Sequence, residues 1–497
     1  MRETHITHFR NNISLWDEPG KGNHVVKQEN AVEVLQTNSG NHSGRMSRRQ
    51  LAQSSLGLGL GAAATVVLSR GNLAGAAQID GAPLTLTIWL GGEPGTVNTY
   101  TDIFAEYQQV HPNITIEATF VGSDLFNPSL LPALNAGNGP DVWMGGTGPG
   151  QPAAIIGAGL AADLTSYYCS LGWNAVLPES VVETTSSAGK LWAVGDSSET
   201  TVMYYNRNTF AQNNLTVPTT WAEFITVCDT LKAAGNKTVI GLGGGDKWPI
   251  SHWQTLLWGR YAGPEGVNNV LFGEGRWDDE PFIQATTTLK DLNDAGYFGP
   301  QPLAVFQDAM IAQFWRGEIP MVFTGTWVVG DAARDIGEGI ANYGVFPVPS
   351  PADGTPIYAS EDIGQGWYIN AALEQKDVAA DLINFMLFRQ ESRDALLASG
   401  DDVPVGPLDL AAAQLPQLLK EALTILETSR ANGSIHAFLD TVTPSGMTDI
   451  TYDGLQALLA GQMSPEEVNG AIQAAWEEAK ANDEQLKPGG QLSCPAS

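Results

Sequence analysis

The chain has 497 residues, and 54 acidic against 25 basic side chains give it a formal charge of −29. A field of that sign repels nucleic acid and anionic lipid, so neither is expected as a partner. Acidity of this kind is the common property of a solvated surface and names no ligand.

Residues 1–45 are polar, hold four of the seven histidines and show no sustained period. They read as a disordered or mis-started extension, with Met46 as an alternative initiator. An export signal is expected over 46–76. Arg48 and Arg49 precede the apolar run Leu56 to Leu68, which is too short to span a bilayer, and Ala74-Gly75-Ala76 offers a cleavage site. The arginine pair resembles a twin-arginine signal, although Gln50 and Leu51 depart from that consensus, and the general secretory route is the alternative. No cysteine stands at the cleavage site to carry a lipid anchor. Gly57, Gly59 and Gly61 imitate a dinucleotide fingerprint, but they lie in the apolar run with no strand before them. Cleavage after Ala76 removes 8 basic and 5 acidic residues, which leaves the remainder more acidic still.

Leu84 to Leu90 is rich in strand formers, and after Gly91-Gly92-Glu93-Pro94-Gly95 the apolar residues Tyr100, Ile103, Phe104 and Tyr107 recur at helical spacing until Pro112. Ile114 to Val121 forms a second strand. Strand, helix and strand in that order imply a parallel pair joined by a right-handed crossover, with the glycine loop at the carboxyl end of the first strand, where open α/β sheets bind ligands. Thr220-Trp221-Ala222-Glu223 and Ser464-Pro465-Glu466-Glu467 each place a glutamate where a capping box needs one. Beyond Ser464, the stripe Val468, Ile472, Ala475 and Ala479 is expected to pack on the core.

The stretch after the signal is longer than one hydrophobic core usually serves, and no linker divides it, so two α/β lobes traversed more than once by the chain are expected. Cys169, Cys228 and Cys494 allow one disulfide without assigning it. After the signal only His111, His252 and His436 remain, each isolated, so no histidine metal site and no cofactor is expected.

Several segments, in order, resemble the extracytoplasmic solute-binding proteins of ABC sugar importers. They are Leu86 to Trp89 before the glycine loop, Gly139-Pro140-Asp141-Val142, Gly189-Lys190-Leu191-Trp192-Ala193, Tyr204-Tyr205-Asn206-Arg207, Pro218 to Phe224, Gly317-Glu318-Ile319-Pro320-Met321 and Gly325-Thr326-Trp327. The resemblance implies an α/β periplasmic-binding-protein fold with two lobes and three crossovers. It places one lobe at 84–196 plus 343–398, the other at 197–342 plus 399–486, and a tail at 487–497. It further implies a monomeric, non-enzymatic protein in the periplasm or on the outer face of the cell membrane. Such a protein binds a sugar or oligosaccharide between its lobes and hands it to ABC permease subunits.

A sugar ring presents apolar C–H faces and an equator of hydroxyls, so its site needs flat aromatic platforms edged by fixed donors and acceptors. By resemblance, Trp327 and Trp248 are platforms, and Trp367, beside Gly364 and Gln365, is a third. Trp89, Trp221 and Trp476 fall inside predicted elements and are expected in the core. Glu93 and Glu199 fall where relatives hold carboxylates against sugar hydroxyls, and Asp246 and Asp362 complete the acidic set. Gly145, Gly146 and Gly148 let backbone amides approach the ligand, Gly364 is placed with Trp367 in the ligand-binding set, and Asp141 reads as a turn or capping residue. The loop Gly146-Thr147-Gly148 lacks the acidic or aromatic side chains some relatives carry there, so the resemblance implies a sugar without naming it.

Other readings remain open on the sequence. Tyr204-Tyr205 could chelate iron, but strand alternation points the two rings to opposite faces. Acids and aromatics would suit a polyamine. A secreted glycoside hydrolase needs only two suitably spaced carboxylates, and an adhesion module needs none.

Overall fold

The computed structural model describes residues 81–482 apart from 92–93, 122, 149–151, 353–358, 401, 407–414 and 433–434, together with Leu492 and Cys494. The expected extension, export signal and Glu93 lie outside these residues.

Eleven strands build two sheets: β1 (Leu84–Leu90), β2 (Ile114–Phe120), β3 (Val142–Gly145), β4 (Val194–Gly195), β5 (Ser198–Asn206), β6 (Ile240–Gly241), β7 (Met321–Gly325), β8 (Tyr343–Phe346), β9 (Ala359–Ile363), β10 (Gly366–Ile369) and β11 (Ile435–His436). The first sheet runs β2-β1-β3-β10-β4 and the second β11-β9-β5-β7-β6, with β8 also on β5. As the sequence predicts, β1 and β2 are parallel, in register from Leu84 opposite Ile114 to Leu90 opposite Phe120. Alternation buries Leu86, Ile88 and Leu90, and the connecting helix α1 (Pro94–Val110) buries the Tyr100, Ile103, Phe104 and Tyr107 face onto them. Each such side chain is worth roughly 1.5–3 kcal/mol when removed from water.

Both capping boxes form. The Glu223 N–H donates to Thr220 Oγ1 at 3.3 Å and the Thr220 N–H to Glu223 Oε2 at 3.2 Å; Ser464 and Glu467 repeat the exchange. The helix behind Ser464 (Pro465–Ala481) buries Val468, Ile472, Ala475, Ala479 and Trp476, whereas Trp89 and Trp221 are half-buried. Along β5, Tyr204 and Tyr205 enter different cores, as alternation requires.

Three stretches of chain pass between the lobes side by side: β4 into β5, β9 into β10, and the approach to Val405. Asp196 ties all three. Its N–H donates to the Gln365 carbonyl at 3.0 Å, and its carbonyl accepts the Val405 N–H at 3.1 Å. Its carboxylate, 1 % exposed, accepts the Gln365 N–H at 2.9 Å and the Ser197 hydroxyl at 3.0 Å. Burial pushes that carboxyl up to about 6, against those hydrogen bonds.

The segment from 343 was assigned to the first lobe, but β8 and β9 both pair with β5 in the second sheet, so the return to the first sheet begins at Gly366. The disulfide that the sequence left open joins Cys169 to Cys494, while Cys228 is buried and free.

Candidate functional site

The second lobe supplies an aromatic platform. Trp327 follows β7, and its ring lies against Gly325, where an added Cβ would fall 1.8 Å from the ring; the glycine is what lets the indole fold back. Trp248 opens the helix α2 (Trp248–Phe272) behind Lys247, whose φ of 66° turns the chain sharply. The two indoles meet edge to face at 5.9 Å, and both are half-buried. One turn along α2, His252 lies 4.9 Å from Trp248 and 5.8 Å from Trp327 and stacks on Phe438 at 4.7 Å. Its Nε2 faces Asp440 Oδ2 at 3.5 Å, and the Tyr452 hydroxyl donates to the same oxygen at 2.8 Å. Burial opposes ionisation of Asp440, but His252 and the Tyr452 hydroxyl hold its carboxyl below the usual range.

Next to this platform runs an acidic edge. Asp362 on β9 stands opposite Glu199 on β5, so both side chains share one face of the sheet. Asp362 is 6 % exposed and accepts the Ile363 N–H at 2.7 Å and the hydroxyl of Thr441. Burial, with Asp440 and Glu361 nearby, pushes its carboxyl up to about 7 in spite of those two hydrogen bonds. Gly364 makes room for its neighbours, since a Cβ there would lie 2.4 Å from Glu199 Oε1 and 2.3 Å from Ser197 Oγ.

The first lobe meets these groups through the loop after β3. Gly145 pairs with Gly366, and Gly146 offers its carbonyl to the Tyr368 hydroxyl at 2.7 Å. Thr147 is 2 % exposed, with no hydrogen-bond partner for Oγ1. Gly148, at φ 78°, donates its N–H to the Thr184 carbonyl at 2.8 Å and touches the other lobe: a Cβ there would sit 1.6 Å from the Thr441 carbonyl oxygen. A continuous path of contacts therefore joins Gly148, Thr441, Asp440, His252 and the tryptophan pair across the junction of the lobes.

The structure brings Gly145, Gly146, Glu199, Trp248, Trp327, Asp362 and Gly364 to this junction and corrects one expectation. Trp367 is 0 % exposed in the first-lobe core, edge-on to Tyr100 at 5.0 Å and to Phe104 at 6.4 Å, so it offers no face to a ligand. Asp246 lies just before Trp248, where its Oδ2 accepts the Gln307 N–H at 2.7 Å and pins the next loop. Asp141, expected as a turn or capping residue, instead ties the start of β3 to β1, accepting both the N–H and the hydroxyl of Thr87 at 2.8 Å. The 320 Å³ pocket lined by Asp141, Leu160, Asn370 and Glu374 lies at the other end of β3 from Gly145. Sequence reasoning passed over His252, Phe438, Asp440 and Thr441. For His252 a signal existed, because Trp248 and His252 are four apart and share a helix face; for the others, no local pattern marks them.

Two α/β lobes sharing a three-stranded crossing, with aromatic and acidic groups at the junction, define a two-lobed solute-binding protein. The chain belongs to the bacterial extracellular solute-binding protein family, whose model matches residues 93–391. It is 25% identical over 264 residues to an uncharacterized ABC transporter extracellular-binding protein of Pyrococcus horikoshii, a match covering 50% of this chain and 58% of that relative. Among solved structures it is similar to a chitin oligosaccharide binding protein (TM-score 0.71, 23% identity, 81% of this chain and 100% of that one). It is also similar to maltose-bound MalE3 of T. maritima (TM-score 0.65, 18% identity, 79% and 99%). At such identities the likeness to solved structures is one of fold.

Proposed function

We propose that this protein is the extracytoplasmic binding component of an ABC importer, exported as a monomer, which takes a sugar or oligosaccharide between its lobes and presents it to a membrane permease. The observation that carries this reading is the pairing of Trp248 and Trp327 beside Glu199 and Asp362 at the lobe junction. Neighbours with the same fold that are described as binding maltose and chitin oligosaccharides support the substrate class.

The proposed mechanism is hinge closure. A ligand that stacks on the second lobe and bonds to the backbone of the Gly145–Gly146 loop contacts both lobes only when they are shut, so it favours that state. Moving closure from 1:99 to 99:1 takes about 5.5 kcal/mol of preference. One stacked ring at roughly 2 kcal/mol with two or three charged hydrogen bonds at about 1.5–3 kcal/mol each spans that figure, where those contacts are completed only on closing.

A thermal-shift screen of mono- and oligosaccharides tests the proposal. Ligand at a hundred times its Kd stabilises by about 2.7 kcal/mol, and chromatography of the recovered ligand should return it intact. Shortened products would make the protein a hydrolase, and indifference to every saccharide offered would remove the sugar reading altogether.

A further inference from the structure

At Lys247 the chain breaks two local rules at once. Its φ of 66° and ψ of −50° form a conformation that favours glycine, and its side chain puts a positive charge at the amino end of α2, where the helix dipole opposes one. The Lys247 carbonyl starts that helix by accepting the Ile250 N–H at 3.0 Å and the Ser251 N–H at 3.3 Å. Both parts that Lys247 joins are fixed. Before it, the turn 243–246 is pressed onto the loop 302–307: a Cβ on Gly243 would lie 2.5 Å from Gln307 Cα. In the same contact the Gly245 N–H donates to the Val305 carbonyl at 2.9 Å, and Asp246 Oδ2 accepts the Gln307 N–H at 2.7 Å. After it, residues 249–260 of α2 are all buried, and in its first turn Trp248 alone is half-buried.

A third element clasps this join. On the helix Ser445–Leu459, Asp453 Oδ1 lies 2.5 Å from Lys247 Nζ, and three residues further on Gln456 donates its amide to the Gly244 carbonyl at 2.8 Å. Residues three apart share a helix face, so one face grips both the turn and the strained residue. We propose that Lys247 is a positioning residue of the saccharide site: clasped to Asp453, it keeps the strained start of α2 in place and so sets the Trp248 indole against Trp327. This rests on the saccharide reading and names what orients its platform. Strained residues persist where their surroundings over-determine them, and they cluster at ligand sites. The ammonium acts on the backbone and not on the ligand. An exposed ion pair is weak, so its loss frays the first turn of α2 without unfolding the protein. Alanine at 247 removes the clasp and leaves the strain; glycine removes both, because it adopts this φ freely.

Fluorine NMR of the full chain labelled with 5-fluorotryptophan tests this without a ligand, with Trp248→Phe identifying the Trp248 signal. Lys247→Ala and Asp453→Ala should each shift or broaden that signal, and Lys247→Gly should return it to its place in the unaltered protein. Calorimetry with maltotriose and with triacetylchitotriose should show binding weakened about threefold or more in both alanine variants, and within about twofold of the unaltered protein in Lys247→Gly. Adding Asp453→Ala to Lys247→Gly should cause no further loss. In urea, the midpoint of Lys247→Gly should lie above that of Lys247→Ala. A Trp248 signal unmoved in the alanine variants overturns the proposal, as does a signal that moves while affinity holds. Glycine binding as weak as alanine also overturns it, because the ammonium would then act directly. If neither trisaccharide binds the unaltered protein, that result counts against the saccharide reading and the fluorine signal decides on the clasp: restoration by glycine supports it, and no shift with alanine overturns it.

Discussion

Trp327 has its ring folded over Gly325 and one edge against Trp248, so the indole is held before any ligand arrives. Half-covering that ring with a sugar removes about 100 Å² from water, or roughly 2 kcal/mol. Trp327→Ala should therefore weaken saccharide binding tenfold or more in calorimetry, while costing the unliganded protein about 1 kcal/mol in urea denaturation. A stability loss as large as the affinity loss would make the ring a core residue. Asp362 carries a second residue-scale prediction. Its carboxyl sits near 7 in the folded protein, above the unfolded value of about 3.9. Its contribution to stability is thus fully present below about pH 4 and is lost as the pH rises through 7. Asp362→Asn lacks that loss, so its stability relative to the unaltered protein should climb from pH 5 to pH 8, with a ceiling of about 4 kcal/mol. A difference that does not change with pH would show that the carboxyl is not buried as described. At this scale the sequence showed local turns such as the glycine before Trp327, whereas the role of that ring rests on the resemblance and on the binding proposal. The sequence failed at Trp367, which also follows a glycine turn: which side of a short strand faces the core depends on the helix packed over it, here through Tyr100 and Phe104.

The loop after β3 shows what elements add. Gly148 permits contact with the helix Leu439–Val442 only because it has no side chain and adopts φ 78°. Gly148→Ala places a methyl group into the Thr441 carbonyl and strains the backbone. The lobes should then be held apart: small-angle scattering should show a larger radius of gyration with saturating ligand than the unaltered protein has, and affinity should fall at least tenfold. Unchanged closure would mean that this contact does not limit the motion. Helices and strands governed by short-range rules, such as β1, α1 and the two capped helices, were readable because periodicity and capping act within a few residues. Strand partners distant in the sequence were not. β8 and β9 pair with β5 across long separations, and nothing in their own residues says which sheet they join. The grouping of Phe438 and Asp440 with Trp248 was hidden for the same reason.

On the scale of the molecule, the three crossing segments meet at Asp196, whose buried carboxyl holds the β9-to-β10 turn through Gln365. Outside the crossing, the Cys169–Cys494 bond fastens the end of the chain to the first lobe, and Leu492 packs on that lobe's core beside it. Cys169→Ser should lower stability by about 2–4 kcal/mol in urea denaturation, since the bond restrains a long stretch of the unfolded chain. No loss would mean that the bond contributes nothing beyond anchorage. The bond also has a topological effect. All of β5 to β11 lies between the two cysteines in sequence, so oxidised protein carries the second sheet inside a covalent ring. A single protease cut anywhere within that ring should yield one band on a non-reducing gel and two once thiol is added.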